Sequence, residues 1–366
     1  MSTAVTWIVP AFYETPSSSG LRFDLTGHAK TLLANKPWER GFEYGFTESL
    51  KKLDPAAVEA LEFNVTPLAR RTISFEGQNA QLVEHHSGAP APADLLRGSG
   101  ISSWNRNLLI MQLRLAIDVE IPDEETDATG MSIEFIEWNH RAVALLTEIG
   151  ELFRAAIHLT YHCEYPIIPT LANKPQGGGL LCVAAEGRMK FHKWDIAVHT
   201  YPAIFLGEYL GEFESFLSDL STKWHLPLWP IHRFLKALGA EHVEMENLLD
   251  LLYALEGLFP TNTSSEFIRV AVALLLSNDR KNAFQANEAL QKAFQYRNSI
   301  VHGAEAMTGM ETITLHGKET LSQRLFPAIQ RITAGMIRVA FGKLQRLQDM
   351  RVLRISVQDV LEHVFP

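Results

Sequence analysis

The chain has 366 residues, 46% apolar and 10% aromatic, with Lys+Arg 33 against Asp+Glu 42 and a formal net charge of −9. At about 150 residues per domain this predicts two domains, each long enough to bury a core without disulfides or metals. The acidic balance excludes a protein that coats nucleic acid or an anionic membrane by bulk attraction. Two cysteines, Cys163 and Cys182, cannot make a disulfide framework and fit a reducing compartment. The opening MSTAVTWIVPAFYETP has no basic stretch, and Pro10 cuts its apolar run, so it does not read as a signal peptide. No window approaches the roughly 18 apolar residues of a spanning helix; the best, 267–276, is short and carries Arg269. The expectation is a cytoplasmic protein with no membrane partner.

In chain order, 72–75, 116–121 and 132–138 read as strands, the last from the partial alternation of Ile133, Phe135 and the residues around them. Residues 141–159 switch to helical spacing, with Val143, Leu146, Ile149, Phe153 and Ile157 along one stripe. A strand at 180–184, a tight turn at Glu186-Gly187 and a strand at 189–194 make a hairpin. Pro, Gly and Ser clusters at 16–20, 88–92 and 174–179 mark loops. Residues 1–201 thus read as an α+β domain, expected to recognise a trigger or partner. From 202 onward the pattern is helical: 204–220, a turn-rich stretch holding Pro227 and Pro230, then helices at 245–258, 265–276, 283–301 and 328–350. The predicted fold class is an α+β N-terminal region followed by an all-α helical bundle at 202–366.

The helix at 283–301 carries a charge where core residues belong. With Arg297 at 0°, Leu290, Ala293, Phe294 and Val301 fall within about 60° of it, so the guanidinium occupies the apolar stripe. Asn298 and His302, four apart, share the margin of that face. A buried arginine needs a partner, because an unpaired interior charge costs several kcal/mol or more. Glu256, on the arc of Leu248, Leu252 and Phe259 in the preceding helix, is likewise a charge in a stripe, and the two together suggest an ion pair. Gly303 reads as a helix C′ glycine, which places His302 in the last turn, where the carbonyl end of the dipole favours the imidazolium. An imidazole that moves protons beside a guanidinium that binds phosphate is what phosphodiester chemistry uses.

Arg297-Asn298 followed by His302, closing a helix as Val301-His302-Gly303 with the Ala254-Leu255-Glu256 helix upstream, resembles the Arg-x4-6-His motif of HEPN domains, and most of all the Apea-like HEPN branch. The resemblance covers about 245–350 and none of the first 200 residues. It implies a helical domain that homodimerises with both motifs at the shared interface. It further implies a metal-independent endoribonuclease without cofactors, of the antiphage abortive-infection or toxin kind. The ribose 2′-hydroxyl would attack the adjacent phosphorus to leave a 2′,3′-cyclic phosphate. Carried over residue by residue, Arg297 is the phosphate binder, Asn298 the polar residue after it and His302 the acid/base, with Glu256 as support. The alternative is a catalytically silent HEPN module, for dimerisation or nucleotide binding within a larger complex, in which Arg297 and Glu256 only hold helices together.

Residues 318–354 carry eight basic side chains against Glu319 and Asp349. Arg324, Arg331 and Arg338 recur every seven residues and share a helix face. Either this face is simply solvated, or it tracks an RNA backbone past His302. Other signals are weaker. His158 and His162 stand four apart with Cys163, Cys182 and His192 nearby in composition, but without a CxxC or HExxH they read as ordinary histidines, and no metal is expected. Trp104, Trp138 and Trp194 could stack bases, although core packing explains them more simply.

Overall fold

The computed structural model describes residues 3–14, 21–35, 51–67, 72–75, 78–81, 107–116, 133–161, 175–185, 188–199, 201–204, 210–224, 228–238, 245–277, 279–301, 321–346 and 354–364. They form two compact units, one of residues 1–154 and 175–225, the other of 155–174 and 226–366. The boundary expected at residue 201 therefore lies at 225/226 in the structure, and residues 155–174 group with the second unit. Nine α-helices and an antiparallel sheet make up the described residues, with the sheet confined to the first unit. No helix among them is long and apolar enough to cross a membrane.

The first unit is built on β1 (Thr3–Glu14), β2 (Leu21–Asp24), β3 (Val58–Pro67), β6 (Asn107–Leu115), β7 (Pro175–Ala185), β8 (Arg188–His199) and β9 (Tyr201–Ile204), with β4 (Thr72–Phe75) and β5 (Gln78–Gln81) as a separate two-stranded ribbon. The strand order is β2-β3-β6-β1-β7-β8, all antiparallel, and β9 adds to β1 in parallel. The strand at 72–75 and the hairpin pairing at 180–184 with 189–194 were legible in the sequence. The central β1 was not, because Pro10 has no N–H to give a ladder and is rare in interior strands. The register accommodates it: β1 pairs with β7 over Ala4–Ile8 and with β9 over Ala11–Glu14, so Pro10 falls in the gap between two partners on one side. Of the loop expected at 174–179, residues 175–179 are strand instead, with a register shift between Gly177 and Gly179 against β8, and Lys174 lies outside the described residues.

Helices complete this unit. Helix α1 (Thr26–Ala34) follows β2, and α2 (Ile133–Tyr161) is one continuous helix whose final turns, from Ala155, belong to the second unit. Residues 133–138 of the strand expected at 132–138 are therefore the start of α2, and Ser132 lies outside the described residues. Neither Gly nor Pro separates this start from the helical pattern at 141–159, so the helix propagates backwards through it, and Glu137 and Arg141 pair across one turn at 2.8 Å. Residues 117–121 of the strand expected at 116–121 lie outside the described residues; Ala116 follows β6, and its N–H donates to the Ala57 carbonyl at 2.7 Å. Helix α3 is Leu210–Lys223; Ile204, expected at its start, ends β9 instead. Phe23 of β2, Phe63 of β3, Phe153 of α2 and Phe213 of α3 meet edge-to-face at centroid distances of 5.1–5.5 Å and are buried. This four-ring cluster locks sheet to helices.

The second unit holds α4 (Trp229–Leu238), α5 (Met245–Glu256), α6 (Ser265–Leu276), α7 (Arg280–Val301), α8 (Leu321–Arg346) and α9 (Val357–Val364). Of the turn-rich stretch expected around Pro227 and Pro230, Pro230 lies in α4 and Pro227 outside the described residues. Pro230 sits in the first turn of α4, where a missing N–H costs nothing. Helix α8 begins seven residues before the expected 328 and carries Pro327 within it. Its buried stripe of Ile329, Thr333, Met336, Ile337 and Ala340 packs on α5 and α7, whose stripes present Leu248, Leu251, Leu252 and Leu255, and Leu290, Ala293 and Phe294. Caps fix the ends. Ser264 accepts from the Phe267 N–H at 3.2 Å at the start of α6, and Asp279 from the Asn282 N–H at 2.8 Å at the start of α7. Ser356 and Asp359 cap α9 reciprocally, at 3.3 and 2.6 Å.

Candidate functional site

Glu256 is the last residue of α5 and Arg297 lies in the last turns of α7. Both belong to apolar stripes: Leu248, Leu252 and Phe259 are buried on the one side, Leu290, Ala293 and Phe294 on the other. Packing those stripes together forces the two charges to meet, and Arg297 Nη2 donates to Glu256 Oε1 in an ion pair. Each side chain keeps about a quarter of its surface, 25% and 24%, so the pair stands at the edge of the core, open on one side. The guanidinium has two further neighbours. Its Nη1 donates to Asn298 Oδ1 at 2.9 Å, and its Cζ lies 6.0 Å from the centre of the Phe294 ring, the outer range of a cation–π contact. Hydrogen bonding to the Glu256 carboxylate, opposed by burial and reinforced by the charges of Glu256 and Tyr253, holds the Arg297 pKa above its ordinary value. The cation is permanent. Its Nε is buried and has no hydrogen-bond partner among the described residues.

The structure thus brings together Arg297, Asn298 and Glu256. His302 follows the last described residue of α7 and, with Gly303, lies outside the described residues. Of the basic positions, Arg324, Arg331 and Arg338 all fall on α8, spaced so that they share the side away from Ile329, Met336 and Ala340. Arg331 is exposed and Arg338 half-buried.

Around this centre the structure adds residues that the sequence did not single out. Gly257 directly follows Glu256, and the Trp229 indole of α4 rests on it. A Cβ at position 257 would overlap the ring, 2.9 Å from Cε2 and nearer still to Cζ2 and Cη2. The glycine is therefore required by close approach, not by an unusual backbone angle. On the same helix α4, Arg233 Nη1 and Lys236 Nζ bind the two oxygens of the buried Asp250 carboxylate at 2.6 and 3.0 Å. The only sequence signal for Trp229 was its place beside two prolines, which suggested a turn.

The other candidates separate. His158 is buried within α2, while His162 and Cys163 lie outside the described residues. Among the described residues no group of three or more His, Cys, Asp or Glu could hold a metal ion. Trp138 and Trp194 fall on α2 and β8, and Trp104 outside the described residues. Comparison with protein-family models, with curated proteins and with solved structures finds no match.

Proposed function

We propose that the second unit is a metal-independent endoribonuclease of the HEPN kind, acting on RNA as a homodimer with the first unit as its recognition part. The single observation that carries the reading is the Arg297 guanidinium, a quarter exposed and oriented by Glu256 and Asn298 near the end of a helix whose next residue is His302. A guanidinium held charged at a core margin is suited to bind a phosphate and offset the charge of a pentacoordinate phosphorane. The reaction it serves is transesterification. An imidazole removes the proton of the ribose 2′-hydroxyl, whose oxygen attacks phosphorus. The bond to the 5′-oxygen breaks, and that oxygen takes a proton from an imidazolium. The products are a 2′,3′-cyclic phosphate and a 5′-hydroxyl, with His302 assigned the proton transfers. Arg331 and Arg338, with Arg324, supply cationic contacts for the RNA backbone.

The test is incubation of the full chain with single-stranded RNA and with tRNA in EDTA, with analysis of product ends. Cyclic phosphates from the wild type, lost in Arg297→Ala and His302→Ala, support the reading. Equal cleavage by the two variants overturns it. A second reading, the silent helical module, is favoured by one observation: both terminal nitrogens of Arg297 already have side-chain partners. A dimer that cleaves no RNA in the same assay favours that reading.

A further inference from the structure

We propose that the Trp229–Arg233–Lys236 face of helix α4 is a binding strip for single-stranded RNA, with the Trp229 indole stacking a nucleobase next to the Arg297 site. The inference rests on the ribonuclease reading and adds to it a second set of cationic side chains, carried by α4. Trp229 is 44% exposed, unusual for the largest apolar side chain, and yet it is not loose. One part of the indole is seated on the backbone of Gly257, while Pro230 and the hydrogen bonds from the Ile231 and His232 N–H groups to the Leu228 carbonyl, 2.9 and 3.2 Å, fix the helix start that carries it. An aromatic ring held in one orientation and left partly open gains stacking energy at little entropic cost.

Its surroundings are chosen for a strand. Arg233 and Lys236 follow Trp229 at four and seven residues, so the three share one helix face. Asp250 is buried and takes a hydrogen bond from each cation, which neutralises one charge and leaves the face net positive. Lys236, 65% exposed, keeps donors for a phosphate. Gly257, on which the indole rests, is the next residue after Glu256, about 3.8 Å away along the chain between Cα atoms, and Glu256 is what holds Arg297. The indole is therefore seated beside the end of α5 that carries the partner of Arg297.

The experiment uses the full chain in a His302→Ala background, so that RNA is bound and not consumed, and measures anisotropy of a fluorescein-labelled oligouridylate. Trp229→Ala weakens binding by about ten-fold or more, and Trp229→Phe, which keeps an aromatic face, by much less. Removing one base from the oligonucleotide weakens binding to the parent protein and leaves binding to Trp229→Ala unchanged. Lys236→Ala, which leaves Asp250 its bond from Arg233, weakens binding several-fold and makes its salt dependence shallower. Should Trp229→Ala fail the thermal-unfolding control, Trp229→Phe, the abasic RNA and Lys236→Ala carry the test. Unchanged affinity in these variants, or equal binding of the matching duplex, overturns the strip while leaving cleavage at Arg297 standing. A parent protein that neither binds nor cuts RNA overturns the ribonuclease reading, and the strip with it.

Discussion

Arg297 and Glu256 occupy positions where leucines would bury more surface, and each is tolerated only because the other is there. Replacing Glu256 by Ala leaves the guanidinium at the core margin with Asn298 alone. The pair keeps a quarter of each side chain in water, so the cost lies between that of an exposed and a buried pair, about 1–2 kcal/mol, read from thermal or denaturant unfolding. On the ribonuclease reading Glu256→Ala also slows cleavage, by less than Arg297→Ala. A variant as active and as stable as the parent shows that the pair orients nothing. Gly257→Ala is the sharper steric test. The indole of Trp229 is rigid and cannot bend away from a Cβ, so it must leave its seat, at about 1–3 kcal/mol, with a change in tryptophan fluorescence. The charges were legible in the sequence because a cation and an anion each broke an apolar stripe. The seat of Trp229 was not, since nothing in a sequence reveals that a ring from one helix will lie on a glycine 28 residues later.

At the scale of elements, boundaries followed caps closely and failed where two signals competed. Helix α6, which the sequence pattern predicts over 265–276, spans Ser265–Leu276, because Ser264 is an unambiguous N-cap. Ser264→Ala should cost about 1 kcal/mol of stability in the helical unit, seen as a lowered unfolding midpoint. By contrast, the alternation at 132–138 was overridden by the cooperativity of the long helix behind it. Prolines misled three times: Pro10 hid a central strand, Pro230 a helix start, and Pro327 the first turns of α8. Helix α1 carries a different prediction. Ser221 Oγ donates to the Ser218 carbonyl at 2.8 Å, so His28 Nδ1, 2.8 Å from that hydroxyl, must carry the hydrogen and donate. Burial lowers the His28 pKa, against the pull of Asp24. The unfolded chain thus binds a proton more readily than the folded one. Stability from His28 is complete above about pH 6.5, the ordinary histidine value, and is lost as pH falls through the lower folded value. Unfolding of the first unit, followed by hydrogen exchange in β2 and β3, should become easier between pH 7 and about pH 5, and His28→Gln should flatten that dependence.

Across the whole molecule, charge is divided more sharply than the total suggests. The segment 318–354 carries a net +6, leaving −15 for the rest of the chain. Binding of RNA under the ribonuclease reading must therefore be local and salt-sensitive. Removing Arg324, Arg331 and Arg338 together should reduce the slope of log affinity against log salt by about 2, at roughly 0.7 per phosphate contact with a single strand. An unchanged slope assigns that face to solvent. The two-part plan was legible from the change in periodicity near residue 200. The position of the division was not, because β9 and α3 carry helical-looking sequence yet belong with the sheet.

The place of β1 in the sheet sets the order in which the protein can be made. Its partners β6, β7 and β9 are encoded about 100 to 200 residues downstream, so during translation the strand waits unpaired until β6 emerges to cover one edge, and its other edge waits longer still, for β7 and then β9. The helical unit pairs mainly near neighbours in the chain and closes soon after synthesis, whereas the sheet folds late and slowly. The nascent sheet, not the finished one, is then the stage at which this chain most needs a chaperone.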